Sequence, residues 1–229
     1  MTAPSLPGAK LSEQFYWRCV CPILDAHFPR LPHAAALLDS GSEVLGFDDD
    51  MSSDHGWGPR VLIFLNRDDH RQFAPAIHET LAHELPAEFE GYSTNFSEPD
   101  PKDNGTQRLA PMTQGAVNHR VPCFTFQGFI AERLNFDIGQ PLEPADWLTF
   151  SEQRLLTLTR GPVFHDAIGL NDARAEFNYY PRDVWLYLLA AGWARVGQED
   201  HLMGRAGFAG DELGSAIIAA RLVRDSMRL

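Results

Sequence analysis

Read from the amino terminus, apolar and aromatic positions first recur at helical spacing between Leu11 and Phe28, with Ser12 as N-cap and Pro22 kinking or dividing the segment. Two short apolar runs follow. His33 to Leu38 ends at Asp39-Ser40-Gly41, and Val61 to Leu65 lies between Pro59 and the charged stretch from Arg67, so both read as strands, the second buried. Asp69 to Leu85 has the period and composition of a helix that Pro86 ends. Gly91 to Gly115, rich in Pro, Asn, Ser, Thr and Gly, reads as a long loop, and Arg120 to Phe126 as a further strand.

After Asp137 the pattern changes. Pro141 and Pro144 punctuate a linker, and helical periodicity dominates the remainder. One helix is predicted to begin near Pro181 and to bury Val184, Trp185, Leu188, Leu189 and Trp193 on one face; another is predicted from about Phe208 to Met227. The alternation of strand and helix predicts a mixed α/β (α+β) sheet with flanking helices over residues 1–137, followed by a helical domain over 138–229. The last helix reaches Arg228-Leu229 without a cap signal, which reads as a truncated helical domain.

Composition narrows the function classes. A formal charge of −12 and a pI near 5.1 oppose extended contact with a phosphate backbone and favour a small substrate or a protein partner. No apolar run approaches the roughly 20 residues that span a bilayer, and MTAPSLPGAK lacks the basic and apolar regions of a secretory signal, so the cytoplasm is the expected location. Cys19, Cys21 and Cys123 are odd in number and without zinc spacing, which reads as ordinary reduced thiols.

Candidate chemistry concentrates between Gly41 and Leu65, where a Gly-Ser pair precedes a turn and an acidic cluster precedes the buried strand. Backbone amides and a small hydroxyl can hold a triphosphate, and carboxylates can hold magnesium on the reacting phosphate. Gly41, Ser42, Gly46 and Asp54 are the candidates for those parts. Asp48, Asp49 and Asp50 read as a solvated loop or as substitute metal ligands, and His55 as a phosphate or metal contact or a turn histidine bonded to backbone. Arg60, directly after Pro59, either binds phosphate bidentately or pairs with a nearby aspartate.

The order GSxxxG followed by Ser-Asp before an apolar strand resembles the DNA polymerase β superfamily of nucleotidyltransferases, whose pattern is a Gly-Ser turn and then an Asp-x-Asp pair. More closely, GSEVLGFDDDMSSDHGWGPRVLIFL resembles the DUF4037 family, whose text commonly reads Asp-His-Asp-Trp-Gly-Pro-Arg. Gly91 to Phe96, Asp183 to Ala190 and Gly210 to Ser215 are similar to that family too, which tends to run on past Leu229. The resemblance implies a nucleotidyltransferase-like domain that transfers a nucleoside monophosphate from an NTP to a small-molecule or protein acceptor. Gly41 and Ser42 would hold the β and γ phosphates, with Gly46 and Arg60 beside them, and Asp54 would hold Mg2+. Gly56 stands where the second Asp belongs, and no third carboxylate is visible in Arg120 to Phe126. That departure sets a rival beside the enzyme: a catalytically inactive nucleotide-binding or protein-interaction module. Related enzymes draw a general base from their helical part, where Glu199, Asp211 and Glu212 lie here; the resemblance does not fix which serves, and their plainer reading is surface salt bridging. A hydrolase built on the nine histidines lacks HExxH and GxSxG.

Overall fold

Helix α1, Gly8–Phe15, passes through a π-helical turn at Tyr16–Val20 into α2, Cys21–His27. Pro22 falls in the first turn of α2, where its missing N–H goes unused, so the segment is divided there without a broken helix. Ser12 is not the N-cap: α1 begins four residues earlier, after Pro7, and Ser12 is buried within it. The described residues of this computed structural model are 7–48, 57–103, 105–112 and 114–229.

Strand β1, His33–Ala36, and, beyond a short helix α3, Ser42–Leu45, strand β2, Leu62–Leu65, are buried at every position. That explains why both read as unbroken apolar runs and not as alternating ones. Helix α4 spans Arg67–Glu84 with Pro75 inside it, and Leu85 is extended because Pro86 follows. The stretch expected as one long loop from Gly91 to Gly115 instead contributes β4, Tyr92–Ser93, paired with β3, Glu88–Phe89, just before it, and continues with bridges from Phe96 to Leu109 and from Asp100 to Thr106.

The strand expected from Arg120 to Phe126 is shorter: β5 is Cys123–Phe124. Thr125 then accepts a hydrogen bond from the Gly128 N–H at 3.0 Å and caps helix α5, Phe126–Leu134, which converts the end of the expected strand into helix. Helix α6, Pro144–Trp147, precedes α7, Glu152–Thr159; then comes β6, Val163–Asp166, a strand the helical periodicity conceals, and α8, Leu170–Ala175. The sheet order is β5-β2-β1-β6, with β1 antiparallel to both β2 and β6 and β2 parallel to β5. Leu11, Phe15, Tyr16 and Leu24 pack with Ile63, Leu65, Ile77 and Leu81 into one core.

The Asp166 carboxylate, at the end of β6, accepts the backbone N–H groups of Ile168, Gly169, Leu170 and Asn171 at 2.8 to 3.2 Å. Burial alone would raise its pKa, but these amide donors outweigh burial and hold it below the ordinary carboxylate value. Asp166→Ala is expected to lower the unfolding free energy by about 1 to 2 kcal/mol, read from a urea denaturation curve. Asp166→Asn, which keeps one acceptor oxygen, is expected to lose less.

The chain divides into two compact units, residues 1–141 with 150–178, and residues 142–149 with 179–229. In the second unit, α9, Arg182–Phe208, and α10, Glu212–Met227, form an antiparallel hairpin, and Trp147 of α6 meets Tyr180 edge-on at 5.8 Å. The face of α9 expected to be buried is so only in part: Val184 is buried and Leu188 and Leu189 are half-buried, but Trp185 is 37% and Trp193 60% exposed. A different face makes the hairpin. There the space beside Gly192 is filled by Leu229, Ser215 Oγ donates to the Met203 carbonyl, and Glu199 pairs with Arg221 at 2.6 Å. Among the described residues no helix is long and apolar enough to cross a membrane.

Candidate functional site

Register decides which candidates meet. Ala36, at the end of β1, pairs with Leu62 at the start of β2, and Arg60 bridges in parallel to Arg120 just ahead of β5. The turn after β1 and the starts of β2 and β5 therefore open at one edge of the sheet, bringing Asp39, Gly41, Ser42, Arg60 and Arg120 together.

Gly41 precedes α3 with φ 142° and ψ 143°, and Gly46 ends that helix in the left-handed region at φ 80°. A Cβ on Gly41 would collide with the Arg60 guanidinium and the Glu43 carboxylate, so the glycine is required by both conformation and space. Beneath the turn, Arg60 and Glu43 form an ion pair with side chains 6% and 4% exposed. Arg60 Nε donates to Glu43 Oε1 at 2.9 Å, and Nη2 donates to the same oxygen and to the Ser40 carbonyl, each at 2.5 Å. Arg60 thus sits where the sequence puts it, at the mouth of β2, and among the described residues its ion-pair partner is Glu43.

Asp39, in the left-handed region at φ 80°, accepts from Arg133 Nη2 at 2.8 Å. Arg120 lies over the Phe96 ring at 5.6 Å. Burial lowers its pKa first and the nearby Arg60 lowers it further, while Asp39 and Glu43 act the other way. None of Asp39, Glu43, Arg120 and Arg133 stood out as a site residue in the sequence. Glu43 lies within the Gly-Ser block, whereas Arg120 and Arg133 come from distant segments that no local spacing connects to it.

Asp48 Oδ2 accepts from the Gly8 N–H at 2.5 Å, while its Oδ1 is buried without a hydrogen bond among the described residues. Trp57, Glu43 and Asp48 close in around Gly8, so Asp48 stands beside the ion pair. Asp49, Asp50, Asp54, His55 and Gly56 lie outside the described residues. Among the described residues no group of three or more His, Cys, Asp or Glu side chains is placed to hold a metal ion. Asp39 and Glu43 are engaged by arginines, and Asp48 keeps one carboxylate oxygen without a hydrogen bond among the described residues. A separate cavity of about 340 Å³, lined by Ala87, Glu88, Ser93, Leu109, Pro111 and Met112, contains none of the candidate residues.

In the helical unit, Glu199 is paired with Arg221, and Asp211 caps α10 by accepting from the Gly214 N–H at 2.8 Å. Both carboxylates are thereby occupied by structural partners. The family model described as domain of unknown function (DUF4037) matches residues 147–229. No curated protein and no solved structure matches the chain.

Proposed function

We propose that this chain is a nucleotidyltransferase-like protein whose Gly41-Ser42 turn receives the triphosphate of an NTP. The observation that carries the reading is the convergence, at one sheet edge, of a glycine-dependent turn with two arginines, Arg60 and Arg120. In this reading Ser42 and the backbone at Gly41 take the β and γ phosphates, Arg120 supplies countercharge, and the Glu43–Arg60 pair holds the turn in shape. The described carboxylates do not make a magnesium site, so Mg2+ belongs to the proposal as the companion of the nucleotide, with Asp54 as the ligand the motif implies.

Two outcomes of bound NTP follow from one position. A second carboxylate at residue 56 would favour transfer of a nucleoside monophosphate to an acceptor hydroxyl with loss of pyrophosphate; Gly56 favours binding without turnover. The test begins with calorimetric titration of ATP and GTP, each with and without magnesium. Magnesium-dependent binding is expected, and Ser42→Ala, Asp54→Ala and Arg120→Gln are each expected to weaken it about tenfold, the effect of losing one hydrogen bond or charge contact worth about 1.4 kcal/mol. Absence of binding under every condition sinks the reading. Label from an α-labelled NTP incorporated by the protein, or by its Gly56→Asp variant alone, then separates an active transferase from a binding module.

A further inference from the structure

We propose that the cavity between the β3-β4 hairpin and residues 109–112 binds a small primary ammonium ion carrying a short hydrocarbon body. It is a site apart from the Gly41-Ser42 turn, since no residue of that turn lines it. The hairpin sorts its side chains by face. Phe89 pairs with Tyr92 and Glu88 with Ser93, so each pair shares one side of the ribbon. Phe89 and Tyr92 pack on the core, and Glu88 and Ser93 line the cavity. Ala87, Leu109, Pro111 and Met112 supply an apolar wall around the remaining space, whose volume of about 340 Å³ suits a small ligand.

The polar side chains of this lining can only accept. Ser93 Oγ donates its one proton to the Ala110 carbonyl at 2.8 Å and accepts from the Asn95 N–H at 3.1 Å, which leaves a lone pair and no proton. Among the described residues the Glu88 carboxylate, directly across the ribbon, has no cationic partner. A ligand carboxylate would be repelled, and a hydroxyl has one proton for two acceptors. An ammonium has three, and its bond to Glu88 is charge-assisted. The chain's net charge of −12 draws cations toward it as well. The walls stand without a ligand: the Ala110 N–H donates to the Asn95 carbonyl at 2.9 Å, and Leu109 bridges to Phe96 and lies against Gly58. Binding therefore needs little ordering of the chain.

Titration of the purified chain with n-pentylammonium chloride at neutral pH, followed by amide NMR, is expected to shift Glu88, Ser93 and Ala110 and to saturate at roughly millimolar concentration. The mixture holds no nucleotide, so the result is independent of the triphosphate reading. 1-Pentanol is expected to bind about tenfold more weakly, and pentanoate not at all. Glu88→Gln is expected to weaken the ammonium about tenfold, whereas Glu98→Gln, which removes the same charge outside the cavity, leaves it unchanged. Ala87→Trp fills the cavity from an exposed position and is expected to abolish saturation, with the urea unfolding midpoint of each variant kept. Absence of shifts at those amides with n-pentylammonium overturns the proposal. So does equal binding of 1-pentanol, or an affinity that Glu88→Gln leaves unchanged.

Discussion

Arg60→Ala is expected to destabilise the protein by about 3 to 5 kcal/mol, the cost of leaving a buried carboxylate without its partner. Both side chains of the Glu43–Arg60 pair are almost fully buried, so water cannot replace the guanidinium that is removed. The loss reaches further than the pair, because Arg60 also donates to the Ser40 carbonyl and so fixes the backbone that leads into Gly41. A double substitution, Arg60→Met with Glu43→Leu, removes both charges while keeping volume, and it is expected to recover most of the stability in urea denaturation. The double variant still lacks the tie to Ser40, so nucleotide binding should stay weakened in it even where stability returns. A single Arg60→Ala loss below about 1 kcal/mol, the range of exposed pairs, would mean that the pair is solvated.

The sequence made the beginning of this edge legible and hid its other half. Gly41, Ser42 and Arg60 lie within twenty residues of one another, and the apolar runs at β1 and β2 announce that a turn joins two buried strands. Arg120 and Arg133 enter through the parallel bridge ahead of β5 and the last turn of α5, contacts that separate residues by many tens of positions and leave no local periodicity. The same reason hides β6: four residues after a helix and a Gly-Pro step, with no alternation, form a strand because β1 offers an edge to pair with. Thr125 shows the converse, a local cap that overrides an apolar run and turns its end into helix. For α9 the helix itself was readable from Pro181 onward, but its buried face was not, because the contact with α10 runs through Gly192, Glu199 and Ser215, and not through the tryptophans.

Stability is also expected to fall as the pH drops from about 6.5 to about 4, with His119 the main cause. Its imidazole is 6% exposed and spans two backbone groups: Nε2 donates to the His78 carbonyl at 3.0 Å, and Nδ1 accepts from the Val121 N–H at 3.1 Å. Those partners demand the neutral ring with its proton on Nε2, since a proton on Nδ1 would point at another N–H. Burial pushes the pKa down to about 4, the His78 carbonyl opposes the shift, and the His78 ring, 4.6 Å away, adds to it. A folded pKa below the unfolded one means that between the two the unfolded chain binds more protons. Stability is then complete above the unfolded value and is lost on acidification toward the folded one, by about 3 kcal/mol at most. His33 is shifted in the same direction, first by burial, and steepens the fall. Asp166 acts in a lower window, because its depressed carboxylate stays ionised until the pH drops below the ordinary carboxylate range. Urea denaturation across this range therefore separates the two. His119→Gln, which keeps a donor and an acceptor without titrating, is expected to flatten the curve between about pH 6.5 and 4 and leave the lower limb unchanged. An unaltered slope in that variant would assign the acid sensitivity to other groups.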